Sequence, residues 1–324
     1  MIHSDLTIKK IQNVYKRIKP YIKTTPFITA SNQINNYFGT NLFFKCEFMQ
    51  NSSSFKIRGA INNILSINKE KIKRGITAVS AGNHAIASSY VANLFNLKNK
   101  IFLYESANDY RLNICRKYKA NLFLTNPHRA FKDVESAEKE GYYFIHPFDG
   151  KHTLQGNATL GLEIINQISN LNIKIDNVII SVGGGGLVSG IGSYIKQILP
   201  NINIFGVEPI GAQGLNESLK KGFPLNKIKV NSIADSLCAP LHMQYSFDVA
   251  KQVIDKIVTV TDKQMVECML YAYNNLKFFL EPACVAGLAA LKNSLYGKLH
   301  DQNTLLILCG SSIDVNTWNK IVKY

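Results

Sequence analysis

Short apolar runs alternate along the chain with stretches of helical periodicity. The runs at 42–48, 76–80, 100–105, 120–125, 142–148, 177–182, 202–208 and 305–310 read as strands, rich in β-branched and aromatic residues and bounded by polar or glycine-containing breaks. Between several of them lie amphipathic helices. One spans 187–199, where Leu187, Val188, Ile191, Ile195, Ile198 and Leu199 recur on a 3.6-residue period. Strand–helix alternation of this kind predicts an α/β protein with parallel-rich sheets and helices on both faces. No internal repeat or low-complexity segment interrupts the pattern. The weakest joints are 66–74 and a crossing near 150.

A chain of 324 residues is too long for one small core, and it suggests two domains or one large α/β unit. Hydrophobic residues at 46% and charged residues at 18% are ordinary for a globular protein. No apolar run reaches the length of a membrane span, and the first twenty residues are too charged for a secretory signal. The expectation is a cytoplasmic protein without a membrane partner. Its six cysteines form no CxxC pair, so neither a zinc knuckle nor a redox motif is signalled. The formal charge of +15 hints at nucleic acid or an acidic ligand. The basic residues are dispersed, however, and no basic stripe is interleaved with aromatics, so a nucleic-acid partner is not expected.

In sheets of this kind ligands gather beyond the carboxyl ends of the strands. After the strand at 177–182 come Gly183, Gly184, Gly185 and Gly186, and then a helix. Four glycines let backbone N–H groups converge, and the helix start adds partial positive charge, which makes either an anion cradle or, more plainly, a tight turn with close packing. It is neither a Walker loop nor the dinucleotide fingerprint. After 76–80 comes Ser80-Ala81-Gly82-Asn83-His84, again entering a helix; this is capping chemistry or a carboxylate-sized set of donors. Cys309 closes the last strand, as a small hydrophobe or as a group facing the same crevice. Lys56 stands between Phe55 and Ile57. It is either a surface lysine or one lodged in a pocket, where desolvation favours the neutral, nucleophilic amine. An aldehyde that also carries a phosphate would join such a lysine to the cradle, and pyridoxal phosphate has both groups.

The motifs NLFFKCEFMQNSSSFKIRGA, SAGNHA, SVGGGGLVSG, GVEP and EPACVAGLAAL fall in the order and spacing of the fold-type II pyridoxal-phosphate enzymes. The chain resembles the serine/threonine dehydratase and serine racemase group from about residue 5 to its end. The resemblance implies a tryptophan synthase β-like fold, with a large domain from 1–74 and 152–324 and a small one from 75–151. It implies pyridoxal 5'-phosphate as cofactor, a small hydroxy amino acid as substrate, and a homodimer. By position, Lys56 resembles the Schiff-base lysine with Phe55 beside the ring. Asn83 resembles the partner of the ring oxygen, Gly183 to Gly186 the phosphate loop, and Cys309 the group at the ring nitrogen. Ser80, Ala81, Gly82, Asn83 and His84 resemble the substrate-carboxylate loop. Glu208, with the Ala212 carbonyl, matches half of a site for a mono- or divalent cation, though Gly214 stands where relatives have an aspartate; the other reading of Glu208 is a hydrogen-bonded acid.

Several departures bear on function. Racemases of the group place a serine where this chain has Ala81, which cannot give or take a proton. The resemblance therefore implies a dehydratase converting L-threonine or L-serine to a 2-oxo acid and ammonia, in preference to a racemase or a β-replacement enzyme. A catalytically weak binding protein on the same fold is the reading from another class. The chain ends soon after Asp314, so the C-terminal regulatory domain of biosynthetic threonine dehydratases is not expected. Gly156-Asn157-Ala158-Thr159 replaces a common Gly-Gln-Gly-Thr, Ser53 a common glycine, and Ser311-Ser312 a Gly-Asn or Gly-Gly pair.

Overall fold

The computed structural model describes residues 3–126 and 129–323. Its strands form two sheets. The larger contains β1 (Phe27–Thr29), β2 (Asn41–Cys46), β7 (Asn177–Ser181), β8 (Asn203–Pro209), β9 (Lys256–Val260) and β10 (Asn303–Leu308), in the order β1-β2-β10-β7-β8-β9. The smaller contains β3 (Ile76–Ser80), β4 (Asn99–Tyr104), β5 (Leu122–Thr125) and β6 (Tyr143–Phe144), in the order β5-β4-β3-β6. Every pairing is parallel except that of the edge strand β1 with β2. β10 runs in register from Asn303 opposite Asn41 to Leu308 opposite Cys46, and it pairs on its other side with β7. The carboxyl ends of β2, β10 and β7 therefore finish along one edge, and their loops share one crevice.

The central strands read as continuous apolar runs because both of their faces are covered. Residues 178–180 of β7 and 305–308 of β10 have no solvent exposure. Helices Lys151–Asn170 and Gly186–Ile198 pack on one another, while Pro282–Lys292 lies against β7 to β10. The helix expected at 187–199 is present at Gly186–Ile198, with Val188, Ile191 and Ile195 buried. Most expected strands fall within two or three residues of their places. The run 142–148 keeps only Tyr143 and Phe144 as strand, because His146 turns the chain: its Nδ1 accepts the N–H groups of Phe148 and Asp149. β1 and β9 went unread. The first has three residues, and the second has only five, of which lysine and threonine are two.

Beneath the crevice lies a cluster of four charges shut off from water. Arg58, Glu47, Lys45 and Glu163 have side chains no more than 2% exposed. Arg58 donates Nε to Glu47 Oε2 at 2.8 Å, and its Nη2 reaches Glu47 Oε1 at 2.8 Å and Glu163 Oε2 at 3.0 Å. Lys45 Nζ donates to Glu163 Oε1 at 2.5 Å, to the Thr25 carbonyl at 2.7 Å and to Gln167 at 2.8 Å. Two cations meet two anions, so the cluster is formally neutral and its donors are shared out. Burial pushes the Glu163 carboxyl up, but Arg58 and Lys45 outweigh it and hold the group below its usual range. The stability linked to Glu163 is thus present above its ordinary pKa of 4.5 and is lost as pH falls below it. We expect Glu163→Ala, which leaves Lys45 without a carboxylate and Arg58 with Glu47 alone, to lower stability by about 3–5 kcal/mol; a urea denaturation midpoint equal to wild type would contradict the cluster's role.

Candidate active site

Lys56 is the first residue of the helix Lys56–Ser66, and the segment before it is fastened to the end of β10. Ser54 and Gly310 form an antiparallel bridge, the Phe55 N–H donates to the Cys309 carbonyl at 3.0 Å, and the Ser311 N–H donates to the Ser53 carbonyl at 2.9 Å. The turn requires a left-handed backbone at Ser53, with φ of 57°, which accounts for the glycine expected there from the resemblance. Lys56 Nζ donates to the Pro147 carbonyl at 2.6 Å and lies 5.0 Å from the Phe55 ring centre. Among the described residues no carboxylate pairs with it. The side chain is partly exposed to the cleft, yet burial pulls the amine from 10.5 down to about 8.

The glycine loop follows β7. Gly185 has φ of +86°, and Phe148 fills the space that side chains would occupy. A Cβ on Gly184 would fall 2.2 Å from the Phe148 ring, and one on Gly186 would fall 2.4 Å from its carbonyl oxygen. Asn157 Nδ2 donates to the Gly186 carbonyl at 3.0 Å, so the residue that departs from the common Gly-Gln-Gly-Thr pattern secures this loop. The helix Gly186–Ile198 then presents its first N–H groups, which have no partners within the helix. Phe55, Lys56, Asn83, Ser181, Gly183 to Gly186, Glu281 and Cys309 line one cavity. Ser181 Oγ and Asn83 Oδ1 are buried there without a hydrogen-bond partner.

A second cleft, of about 600 Å³, is lined by Ser80, Ala81, Gly82, Asn83 and His84. Lys56, Asn83, Phe148, Gly184 and Ser236 border both spaces, so the cavity and the cleft meet at the lysine. β3 ends at Ser80, whose Oγ accepts the Gly82 N–H at 2.9 Å, and the helix Asn83–Leu94 begins immediately. His84 Nε2 lies 2.7 Å from the Ile145 carbonyl and must donate to it, which leaves Nδ1 as an unpartnered acceptor. Burial, reinforced by the Lys56 charge, lowers His84 to about 3, so its ring is neutral.

The structure therefore brings together every residue singled out in the sequence except two. Glu208 and Ala212 line neither space. Glu208 is buried, with Oε1 accepting the Leu215 N–H at 2.8 Å and Oε2 the Asn216 N–H at 2.9 Å, at the start of the helix Gly214–Lys221. Burial pushes this carboxyl up to about 7. Among the described residues no cluster of three or more metal-ligating side chains occurs.

Two residues of the site escaped the sequence. Glu281 is 1% exposed; its Oε1 accepts Asn83 Nδ2 at 2.6 Å and its Oε2 accepts the Ser312 N–H at 2.9 Å. Arg111, in the helix Asp109–Lys117 beside the smaller sheet, pairs with Asp235 and donates to the carbonyls of Ser312 at 3.0 Å and Ala81 at 3.2 Å. Its Nη2 also stands 3.7 Å from Glu281. The one sequence signal was Glu281 itself, an acid heading an otherwise apolar helix.

The family described as "Pyridoxal-phosphate dependent enzyme" matches residues 18–310, and the chain belongs to it. A phenylserine dehydratase from Ralstonia pickettii is 36% identical over 96% of this chain and 94% of its own length. A serine racemase from Dictyostelium discoideum is 34% identical over 98% of both chains. An L-threonine ammonia-lyase from Geobacter sulfurreducens is 30% identical over 97% of this chain and 77% of its own. The solved structure of maize serine racemase superposes with a TM-score of 0.88 at 30% identity, covering 98% of this chain and 97% of that one. The α/β fold with parallel-rich sheets is thus that of the fold-type II pyridoxal-phosphate enzymes, and the relatives include both eliminating and racemising enzymes. No helix among the described residues is long and apolar enough to cross a membrane.

The depressed pKa of Lys56 has a consequence for stability. The folded protein disfavours the charged amine, so the residue costs stability at neutral pH, and the cost fades as pH rises from about 8 toward 10.5. We expect Lys56→Met, without cofactor, to melt a few degrees above wild type at pH 7, with the gap closing by pH 10.5. A gap that is absent or reversed at pH 7 would show an amine at ease in water.

Proposed function

We propose that this chain is a dehydratase, or ammonia-lyase, that removes water and ammonia from a β-hydroxy amino acid such as L-threonine or L-serine, leaving a 2-oxo acid. The observation that carries the reading is the position of Lys56, where a glycine-lined anion cradle and a carboxylate-sized loop open onto one amine. The residues suit pyridoxal phosphate: a desolvated amine for its aldehyde, converging N–H groups for its phosphate, and the unpartnered Ser181 Oγ and Asn83 Oδ1 where further polar groups of a ligand would lie. When bound, this cofactor supplies a carbonyl that condenses with amines and a conjugated ring that draws electrons from the α-carbon.

The protein's own groups do the rest. Lys56 would hold the cofactor through Nζ and, with that amine free and neutral, would take the α-proton of the substrate on the same atom. Its pKa of about 8 keeps a useful fraction neutral near pH 7. The Ser80 hydroxyl and the first N–H groups of the helix Asn83–Leu94 receive the substrate carboxylate, with no charge from the neutral His84. Phe55 and Cys309 line the same cavity, where Phe55 would pack beside the ring and Cys309 would offer its nitrogen a thiol in place of a carboxylate that would force a charge. Water lost in the elimination is regained when the product imine hydrolyses, so the net products are 2-oxo acid and ammonia.

Elimination is favoured over racemisation by Ala81, which lines the cleft without a titratable group. Of the four relatives named above, two carry eliminating activities in their names and two are serine racemases. With the reading go a large unit of 1–74 and 152–324 around the six-stranded sheet and a small unit of 75–151 around the four-stranded one, closing on substrate. A cytoplasmic homodimer belongs to the same proposal, and the six free cysteines suit a reducing compartment.

The purified protein with pyridoxal phosphate is expected to form 2-oxo acids from β-hydroxy L-amino acids while the residual substrate stays L. Formation of the D-enantiomer without oxo acid would overturn the proposal. Lys56→Ala should lower kcat by on the order of a thousandfold or more. After borohydride reduction, mass spectrometry should find the cofactor on the peptide carrying residue 56 in wild type and nowhere in the variant.

A further inference from the structure

We infer that the group on the substrate's β-carbon is an aromatic ring, seated against Phe131 and Tyr104. This names the substrate class of the dehydratase proposed above and rests on that reading. A substrate held by its carboxylate on residues 80–83 and by its amine at Lys56 has only the remaining wall of the cleft for its side chain. That wall consists largely of Val79, Tyr104, Phe131, Pro147, Phe148 and Pro240. Asp235 also borders the cleft, but its carboxylate is committed to Arg111. Among the described residues of this wall, no unpaired charge awaits a polar substituent.

The aromatic wall is fixed in place. Tyr104 ends β4, the strand next to β3, so it stands at the same sheet edge as Ser80. Phe131 packs 6.5 Å from Phe144, nearly edge-on, and 6.0 Å from His146. His146 in turn stands at 90° to Phe148 with centroids 4.6 Å apart. Its Nδ1 accepts two backbone N–H groups, and burial lowers its pKa to about 3, so this layer is uncharged at neutral pH. Phe131 and Tyr104 nevertheless remain partly exposed. A hydroxymethyl or hydroxyethyl group would leave these faces in contact with water. A ring would dry them and meet pre-ordered aromatic edges and faces, at little entropic cost because the wall is already ordered.

The test separates binding from chemistry. Titration calorimetry on the holoenzyme uses L-phenylalanine, L-leucine and L-alanine, which lack the β-hydroxyl and cannot eliminate water. L-phenylalanine should bind about tenfold or more tighter than L-alanine, and measurably tighter than L-leucine. Phe131→Ala and Tyr104→Ala should each narrow the phenylalanine-to-alanine ratio severalfold. Equal affinity for phenylalanine and alanine, or leucine binding as tightly as phenylalanine, overturns the inference whatever the turnover assay gives. In parallel, oxo-acid release from 3-arylserines and from L-threonine is compared on the same preparation. A kcat/KM higher for the aryl substrate supports the inference. A preference for L-threonine overturns it while leaving the dehydratase standing. Tight L-phenylalanine binding with no oxo acid from any hydroxy amino acid supports the aromatic seat and removes the dehydratase.

Discussion

The site depends on a group of charges that never reaches it. Arg58 lies two residues beyond Lys56 on the same helix, and its guanidinium is held by Glu47 at the end of β2 and by Glu163 on the helix Lys151–Asn170. A guanidinium buried among carboxylates has one acceptable arrangement, since any shift leaves a charge without a partner in a medium that cannot solvate it. The cluster therefore fixes the rotation and height of the helix that starts at Lys56. The bridge between Ser54 and Gly310 fixes the chain on the other side of the lysine. With its backbone held on both flanks, the amine can sit in a space that penalises its charge without moving to water.

The same economy of charge runs through the rest of the site. The cluster is neutral, His84 and His146 are neutral, and Asp235 is spent on Arg111. Lys56 is left as the group whose proton is easily moved near neutral pH. In a site of low polarity, one such amine beside a cradle of N–H donors is a strong local asymmetry, and substrate charge developing between them would be felt at full strength.

Much of this could be read along the chain, for a physical reason. Parallel strands buried on both faces leave unbroken apolar runs, and the loops that follow them are where this class of sheet gathers its chemistry. Lys56, Gly183 to Gly186, Ser80 to His84 and Cys309 all lie immediately beyond strand ends or at helix starts, so a local pattern locates them. Arg111 and Asp235 lack such a local mark, and nothing local tells Glu281 or Ser312 which partners they meet. They are spread over some two hundred positions of sequence and form one assembly only after the two sheets come together. Phe131 is similar: within its helix it is an ordinary apolar residue, and only the neighbouring rings show which way it faces. Short strands such as β1 and β9 were hidden because edge position weakens the apolar signal. Ser53 shows a finer limit, since nothing in a serine announces a left-handed backbone.

The assembly around Arg111 also sets the terms on which the halves of the molecule can part. Its guanidinium comes from the element beside the four-stranded sheet, and most of its acceptors come from the opposite side of the crevice. Swinging the sheets apart would bare the Glu281 carboxylate and loosen the Asn83 amide it grips, both at the innermost point of the ligand space. Ions in the surrounding solution weaken such a clasp at its solvent-facing end, where Asp235 is half open. Added salt would then loosen the clasp from its outer end inward, with the buried Glu281 contact the last to give.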